Sequence, residues 1–235
     1  MSNQTSSGFD EFAGNYEAAL QQGLSVTGES KDYFAVGRIR FLERQIARLG
    51  ERPARILDYG CGTGTSVPLL LSLRGAEAVT GVDISEESLK VAARDHGAGG
   101  NAVFATFQQL APARDMDLAF CNGVFHHIPV RERAGCMKYI FDSLRPGGVF
   151  AFWENNPWNP GTRYVMSRIP FDRDAITLSP PASRRLSEAA GFEVMFTRFL
   201  FFFPKSLGWL RWTEAGMARI PLGGQYIVLC RKPGQ

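Results

Sequence analysis

From residue 55 onward, short apolar runs alternate with amphipathic stretches. ARILDYG (54–60) reads as a strand, SVPLLLSLRG (66–75) as the helix behind it, and AVTGVDI (78–84) as the next strand. A helix follows, with Ser85 at its N-cap and Glu86 and Glu87 in the first turn, where the helix dipole favours acids. NAVFATF (101–107) and DLAFCNGVF (117–125) are the third and fourth strands. Residues 131–144 predict a helix with Met137, Ile140, Phe141 and Leu144 on one side. Pro146-Gly147-Gly148 should stop that helix and turn the chain into a fifth strand, GVFAFWE (148–154). Strand-helix alternation of this kind implies a largely parallel sheet covered by helices on both faces.

The flanks read differently. A polar tail precedes helical character from Phe9 to Gln22, and a second helix is expected from Asp32 to Leu49, with Phe34, Ile39, Leu42, Ile46 and Leu49 on its apolar face. Together they make a helical cap over residues 1–50, ahead of a core over 55–155. NNPWNPGTRYVMSRIPFDRDAITL is rich in turn formers and aromatics and reads as an inserted loop or cap, with a substrate lid at 156–175. A helix over 181–190 ends at Gly191. FEVMFTRFLFFF (192–203) is a strand, residues 204–224 a second insertion, and QYIVLCRK (225–232) a closing strand. Two final strands without a crossover helix should form an antiparallel hairpin at the sheet edge.

The 235 residues, 45% of them hydrophobic, suffice for the core of one domain over 1–235. A net charge of +3, with 26 Lys and Arg dispersed and never five in a row, argues against a nucleic-acid partner. The opening MSNQTSSGFDEF lacks the apolar core of a secretory signal, and no apolar run approaches the about 18 residues of a membrane span. Cys61, Cys121, Cys136 and Cys230 show no metal-ligand spacing and read as reduced thiols of a cytoplasmic protein, with no metal expected. A monomer or a homodimer fits equally well.

The most informative segment is Asp58-Tyr59-Gly60-Cys61-Gly62-Thr63-Gly64, between a predicted strand and a predicted helix. Open α/β sheets bind nucleotides beyond the carboxyl end of the first strand, where glycines let the backbone approach a ligand. Asp83, about 20 residues on, stands where ribose hydroxyls are held. A dinucleotide fingerprint would need glycine at position 65, which is Thr65. Asp58 at the strand tip would repel a pyrophosphate yet suits a cationic ligand. S-adenosylmethionine carries an ammonium and a sulfonium and no phosphate, so the residues favour it over NAD or FAD.

ILDYGCGTG, GVDIS, DLAFCNGVFHHIP and LRPGGVFAFWE resemble, in order and spacing, the successive motifs of class I S-adenosylmethionine-dependent methyltransferases, over roughly residues 55–155. The resemblance implies a Rossmann-like, seven-stranded, doubly wound and mostly parallel sheet with an antiparallel C-terminal strand. It implies that Asp58, Gly60, Cys61, Gly62 and Gly64 cradle the methionine end of the cofactor, that Asp83 holds the ribose and that Ile84 packs on the adenine. Cys121 and Asn122 would offer backbone groups to the amino-acid moiety. An acid often found near the end of the third strand is replaced by Thr106, followed by Phe107, so weaker adenine contact is expected. Tyr16, Tyr33 and Arg38 of the N-terminal helices are candidates to close over the cleft, Arg38 by pairing with the cofactor carboxylate; surface positions on a helix are the alternative.

Methyl transfer from a sulfonium chiefly requires alignment and exclusion of water, and a base only where the acceptor must lose a proton. His126, His127 and Glu154 are the candidates, against structural roles in their loops. Trp158, Arg163 and Tyr164, with Arg168, Phe171 and Arg173, offer aromatic and cationic contacts for a planar or anionic acceptor. The segment FLFFFPKSLGWLRW (199–212) reads as a strand buried between layers, or as a contact for a greasy acceptor, a membrane surface or a second copy. The expectation is a small-molecule methyltransferase for a metabolite or natural-product intermediate, by O- or N-methylation. A lipid-like acceptor and a cofactor-binding protein without catalysis are the alternatives.

Overall fold

Side chains that alternate along each strand feed two separate apolar layers in the computed structural model, which describes residues 27–112, 114–169 and 175–234. The expected helix from Phe9 to Gln22, with Tyr16, lies outside the described residues, as do Phe171 and Arg173. Strands β1 (Arg55–Tyr59), β2 (Ala78–Asp83), β3 (Ala102–Thr106), β4 (Met116–Asn122), β5 (Leu144–Asn155), β6 (Glu193–Leu200) and β7 (Gln225–Arg231) form one sheet in the order β3-β2-β1-β4-β5-β7-β6. β7 runs antiparallel to both neighbours, and the β1–β2, β2–β3, β1–β4 and β4–β5 pairs are parallel. The final pair is therefore the antiparallel edge hairpin expected from the missing crossover.

Helix α1 (Lys31–Arg48) begins at Ser30, whose hydroxyl accepts from Tyr33 N. It buries Ile39, Phe41, Leu42 and Ile46 against Val149, Ala151 and Trp153 of β5 and Leu118 and Phe120 of β4. Phe150 and Phe152 point to the opposite layer, with Met137 and Ile140 of helix α4 (Arg133–Ser143). Burying several such side chains, at about 1.5–3 kcal/mol each, is what holds the layers on the sheet. Between them in the chain, α2 (Val67–Leu71) is only five residues long, shorter than the ten-residue segment expected. Helix α3 (Glu86–His96) starts where Ser85 Oγ accepts from Ser88 N at 3.1 Å, as the sequence predicts.

Three segments depart from expectation. Leu144 already pairs with Met116, so Pro146-Gly147-Gly148 forms a bulge inside β5 before Val149 pairs with Leu118; Gly147, at φ 78°, supplies the kink. The insertion after β5 contains a helix, α5 (Pro160–Arg168), whose cap Asn159 accepts from Thr162 N. β6 stops at Leu200 because Phe201 turns left-handed at φ 62°, so Phe201–Phe203 are not strand. Helix α6 (Pro180–Ala189) precedes β6, and a 3₁₀ helix (Lys205–Thr213) and α7 (Glu214–Met217) precede β7. Among the described residues, no helix is long and apolar enough to cross a membrane.

Candidate active site

The strand order reverses between β1 and β4, so the loops leaving their carboxyl ends diverge and open a crevice. The glycine loop shapes one side. Gly60 sits at φ 73°, and a Cβ there would lie 2.4 Å from Val124 Cγ2, so only glycine lets the two loops meet. Gly62, at φ 53°, donates its N–H to Asp83 Oδ2 at 2.8 Å, and Ser85 N donates to Oδ1 at 3.0 Å. Asp83 thus braces the loop as well as facing the crevice.

Two cavities occupy the crevice. The first, about 420 Å³, is walled by Asp58, Gly60, Cys61 and Gly62, by Asp83 and Ile84, by Phe107, and by Val124, Cys136 and Tyr139. The second, about 370 Å³, lies among α1 (Tyr33, Phe34, Arg38), α5 (Tyr164), Phe201–Phe203, Asn155 and Gln225. Asn122, Gly123 and His127 belong to the walls of both. The two spaces therefore meet at the end of β4.

Asp58 is 3% exposed, and its Oδ2 finds no hydrogen-bond partner among the described residues. Burial, and then the charge of Asp83, push its carboxyl up to about 7. A buried, unpartnered carboxylate oxygen in the wall suits a cationic group such as an ammonium and opposes a phosphate. The residues present therefore fit S-adenosylmethionine.

In the wall of the second cavity, His126 is buried and its Nδ1 lies 2.7 Å from Glu154 Oε2. Glu154, 1% exposed, also accepts from Phe125 N at 2.8 Å. It lines neither cavity, and its influence passes through His126 and the loop backbone. The His126 and His127 rings stand 4.0 Å apart. Arg38 donates to Gln225 Oε1 at 2.9 Å, and Arg211 lies 4.5 Å over the Tyr33 ring while pairing with Glu29.

Several expected contacts are redirected. Tyr33 and Arg38 line the second cavity rather than the first, because α1 crosses above β5 and not above the glycine loop. Gly64 and Cys121 are absent from both walls; Cys121 is fully buried within β4, and Gly64 packs on Ala92 and His96 of α3. Thr106 likewise lines neither, since its hydroxyl accepts from Gln109 N, and Phe107 meets the ligand space instead. Of the lid residues, Tyr164 reaches the second cavity, while Trp158 and Arg163 do not. Trp158 faces away because Asn156 Oδ1 holds its N–H and Asn156 Nδ2 donates to the carbonyls of Pro221 and Gly223. Asn155, expected to face the cleft beside Glu154, does line the second cavity, and so do Phe201–Phe203, one of whose two readings was an acceptor contact. Sequence reading missed Gln225 and the turn at Phe201, whose positive φ had no glycine or asparagine to announce it.

Residues 56–148 match the family model described as a methyltransferase domain. The trans-aconitate 2-methyltransferase of Rhodopseudomonas palustris (strain BisB18) is 32% identical over 138 residues, which are 59% of this chain and 50% of that protein. The enzyme of the same name from Azoarcus sp. (strain BH72) is 32% identical over 138 residues, 58% and 53% of the two chains. The chain thus spans about half the length of these curated relatives. A SAM-dependent methyltransferase from Archaeoglobus fulgidus superposes with a TM-score of 0.60 at 16% identity, over 83% of this chain and 94% of that one. A Thermotoga maritima SAM-dependent methyltransferase, described as a possible histamine N-methyltransferase, gives 0.60 at 20% identity over 95% and 98%. At these identities the structural likeness is one of fold.

Proposed function

We propose that the chain, whose residues 56–148 match a methyltransferase domain, is a class I S-adenosylmethionine-dependent methyltransferase that transfers a methyl group to a small-molecule acceptor held in the second cavity. The observation that carries this reading is the shared wall of Asn122, Gly123 and His127 between two cavities of small-molecule size. In the first cavity, Asp58 would take the ammonium, Gly60, Cys61 and Gly62 would follow the methionine chain, and Asp83 the ribose hydroxyls. Ile84 and Phe107 would enclose the adenine. When bound, the cofactor supplies an electrophilic methyl on a sulfonium.

The protein's own contribution is alignment and desolvation at the seam. Asn122 and His127 border the path between the cavities, and Tyr33, Phe34 and Phe201 screen it from water with a cluster of rings 5.0–5.9 Å apart. Lys31 and Arg38 place two cations in the acceptor wall. We therefore favour an acceptor bearing a carboxylate, in keeping with relatives named for trans-aconitate, a small polycarboxylate. If the acceptor atom is protonated, His126, with Nδ1 turned to Glu154, and His127 are the groups placed to take the proton. A purely cofactor-binding role is disfavoured by the open second cavity.

Calorimetric titration with S-adenosylmethionine, S-adenosylhomocysteine and NAD, on the parent and on Asp83→Asn, tests the cofactor half. Micromolar binding of the first two, weakened in the variant and absent for NAD, is expected. Transfer of a labelled methyl group to a panel of small carboxylates tests the acceptor half. Binding of NAD alone would overturn the whole reading.

A further inference from the structure

Antiparallel neighbours such as β6 and β7 can be joined by a two- to five-residue turn, yet residues 201–224 separate them here. Part of this length has a purpose already described: Phe201–Pro204 wall the second cavity and Pro221–Gly224 clasp the end of β5. Residues 205–220 are held firmly from beneath. Arg211 pairs with Glu29 and donates to Phe203 O, and Glu214 Oε1 accepts from Phe202 N and Phe203 N. What this rigid segment presents outward is apolar.

Trp209 and Trp212 are 71% and 81% exposed, and Leu207, Ile220 and Leu222 of the same connection are exposed too. Trp209 and Trp212 lie three residues apart in a 3₁₀ helix, whose repeat of three puts them on one face, about 6 Å apart. Indoles left in water are costly unless something covers them. Lys205 and Arg219 are the exposed charges of residues 205–222, and the segment's one acid, Glu214, is turned inward onto the Phe202 and Phe203 amides. The exposed side chains of the segment therefore include two tryptophans and two cations and no acid.

We propose that this segment docks the protein on an anionic lipid bilayer surface, indoles in the interface and Lys205 and Arg219 against the headgroups. Tryptophan favours the membrane-water boundary, and basic residues add attraction to anionic lipid. A second copy of the chain is the weaker occupant. A two-fold interface sets the same patch against itself and would bring its cations together with no exposed acid of the segment to offset them. The proposal stands apart from the chemistry of the cleft and does not need it.

The intact chain is mixed with vesicles of phosphatidylglycerol and phosphatidylcholine in equal parts, and with vesicles of phosphatidylcholine alone. Sedimentation and tryptophan emission are read together. Trp153 is fully buried and Trp158 is 47% exposed, so the part of the blue shift that Trp209→Ala/Trp212→Ala abolishes reports the paired indoles. Expected are co-sedimentation and a blue shift with the anionic vesicles, reversed by high salt. Partitioning should fall by about tenfold or more in Trp209→Ala/Trp212→Ala, and Lys205→Glu/Arg219→Glu should lose the preference for anionic lipid. Both pairs are solvent-facing, so unchanged melting and unchanged S-adenosylhomocysteine binding will show the variants folded. No sedimentation with either vesicle, or a tryptophan variant that sediments like the parent, overturns the proposal. So does a dimer in analytical ultracentrifugation that the tryptophan variant abolishes, which would assign the face to a second copy.

Discussion

Replacing Asp58 with asparagine separates what this carboxylate costs the fold from what it offers a ligand. Its carboxyl rises from an ordinary 3.8 to about 7, through burial first and the Asp83 charge second. An acid whose pKa is higher folded than unfolded binds its proton more tightly in the native state. Its contribution is fully present below pH 3.8 and is lost as pH climbs through about 7. At 1.36 kcal/mol per pH unit, the loss above that window is on the order of 4 kcal/mol. Asp58→Asn removes the ionisation at nearly constant volume. Without ligand, the variant should therefore exceed the parent in stability by up to that amount at about pH 8, and the gap should close towards about pH 4. Ligand binding should move the opposite way: an ammonium beside Asp58 favours the carboxylate, so the parent binds S-adenosylhomocysteine more tightly as pH rises to about 7 and releases a proton on binding. The variant should lose both the affinity and the proton release. Urea unfolding at the two pH values and calorimetry in two buffers of different ionisation enthalpy measure these quantities. Parallel stability-pH profiles for the two proteins, or undiminished ligand affinity in the variant, would refute the reasoning.

Other substitutions probe the geometry. Gly60→Ala combines a left-handed φ with a Cβ 2.4 Å from Val124 Cγ2; a loss of about 2–4 kcal/mol in chemical denaturation is expected, with weaker cofactor binding. Gly37→Ala puts a Cβ 2.6 Å from Phe201 Cε1 and should push that ring into the second cavity, raising KM for the acceptor while the Kd for S-adenosylhomocysteine stays put. A matched rise in both constants would mean that the cavities do not act separately. Asn156→Ala strips a fully buried side chain from Trp158 N and two carbonyls, and should lower stability by about 2–3 kcal/mol, read as a shifted urea midpoint at constant m-value.

Much was legible in the chain because it depends on neighbours a few residues apart. Period-two and period-3.6 patterns located the strands and helices, the Ser85 cap placed α3, and the missing crossover before QYIVLCRK implied the antiparallel edge. The glycines of the Asp58–Gly64 loop and the carboxylate at Asp83 were readable for the same reason, since steric freedom and charge belong to the residue itself. Direction across the fold was not. Whether Arg38 served the first cavity or the second depended on where α1 crosses the sheet, and whether Glu154 met an acceptor or His126 depended on β5 lying beside the loop after β4. Trp158 and Tyr164 look alike as lid residues until Asn156 ties down the first and α5 turns the second inward. Local sterics and patterning thus settled the alternating strands and helices, the antiparallel edge and the glycine loop at the first strand's end, and the resemblance supplied the seven-stranded count. The partners of each polar side chain were settled only by packing between segments far apart in the chain, where burial makes each unpaired charge or amide costly enough to choose among alternatives.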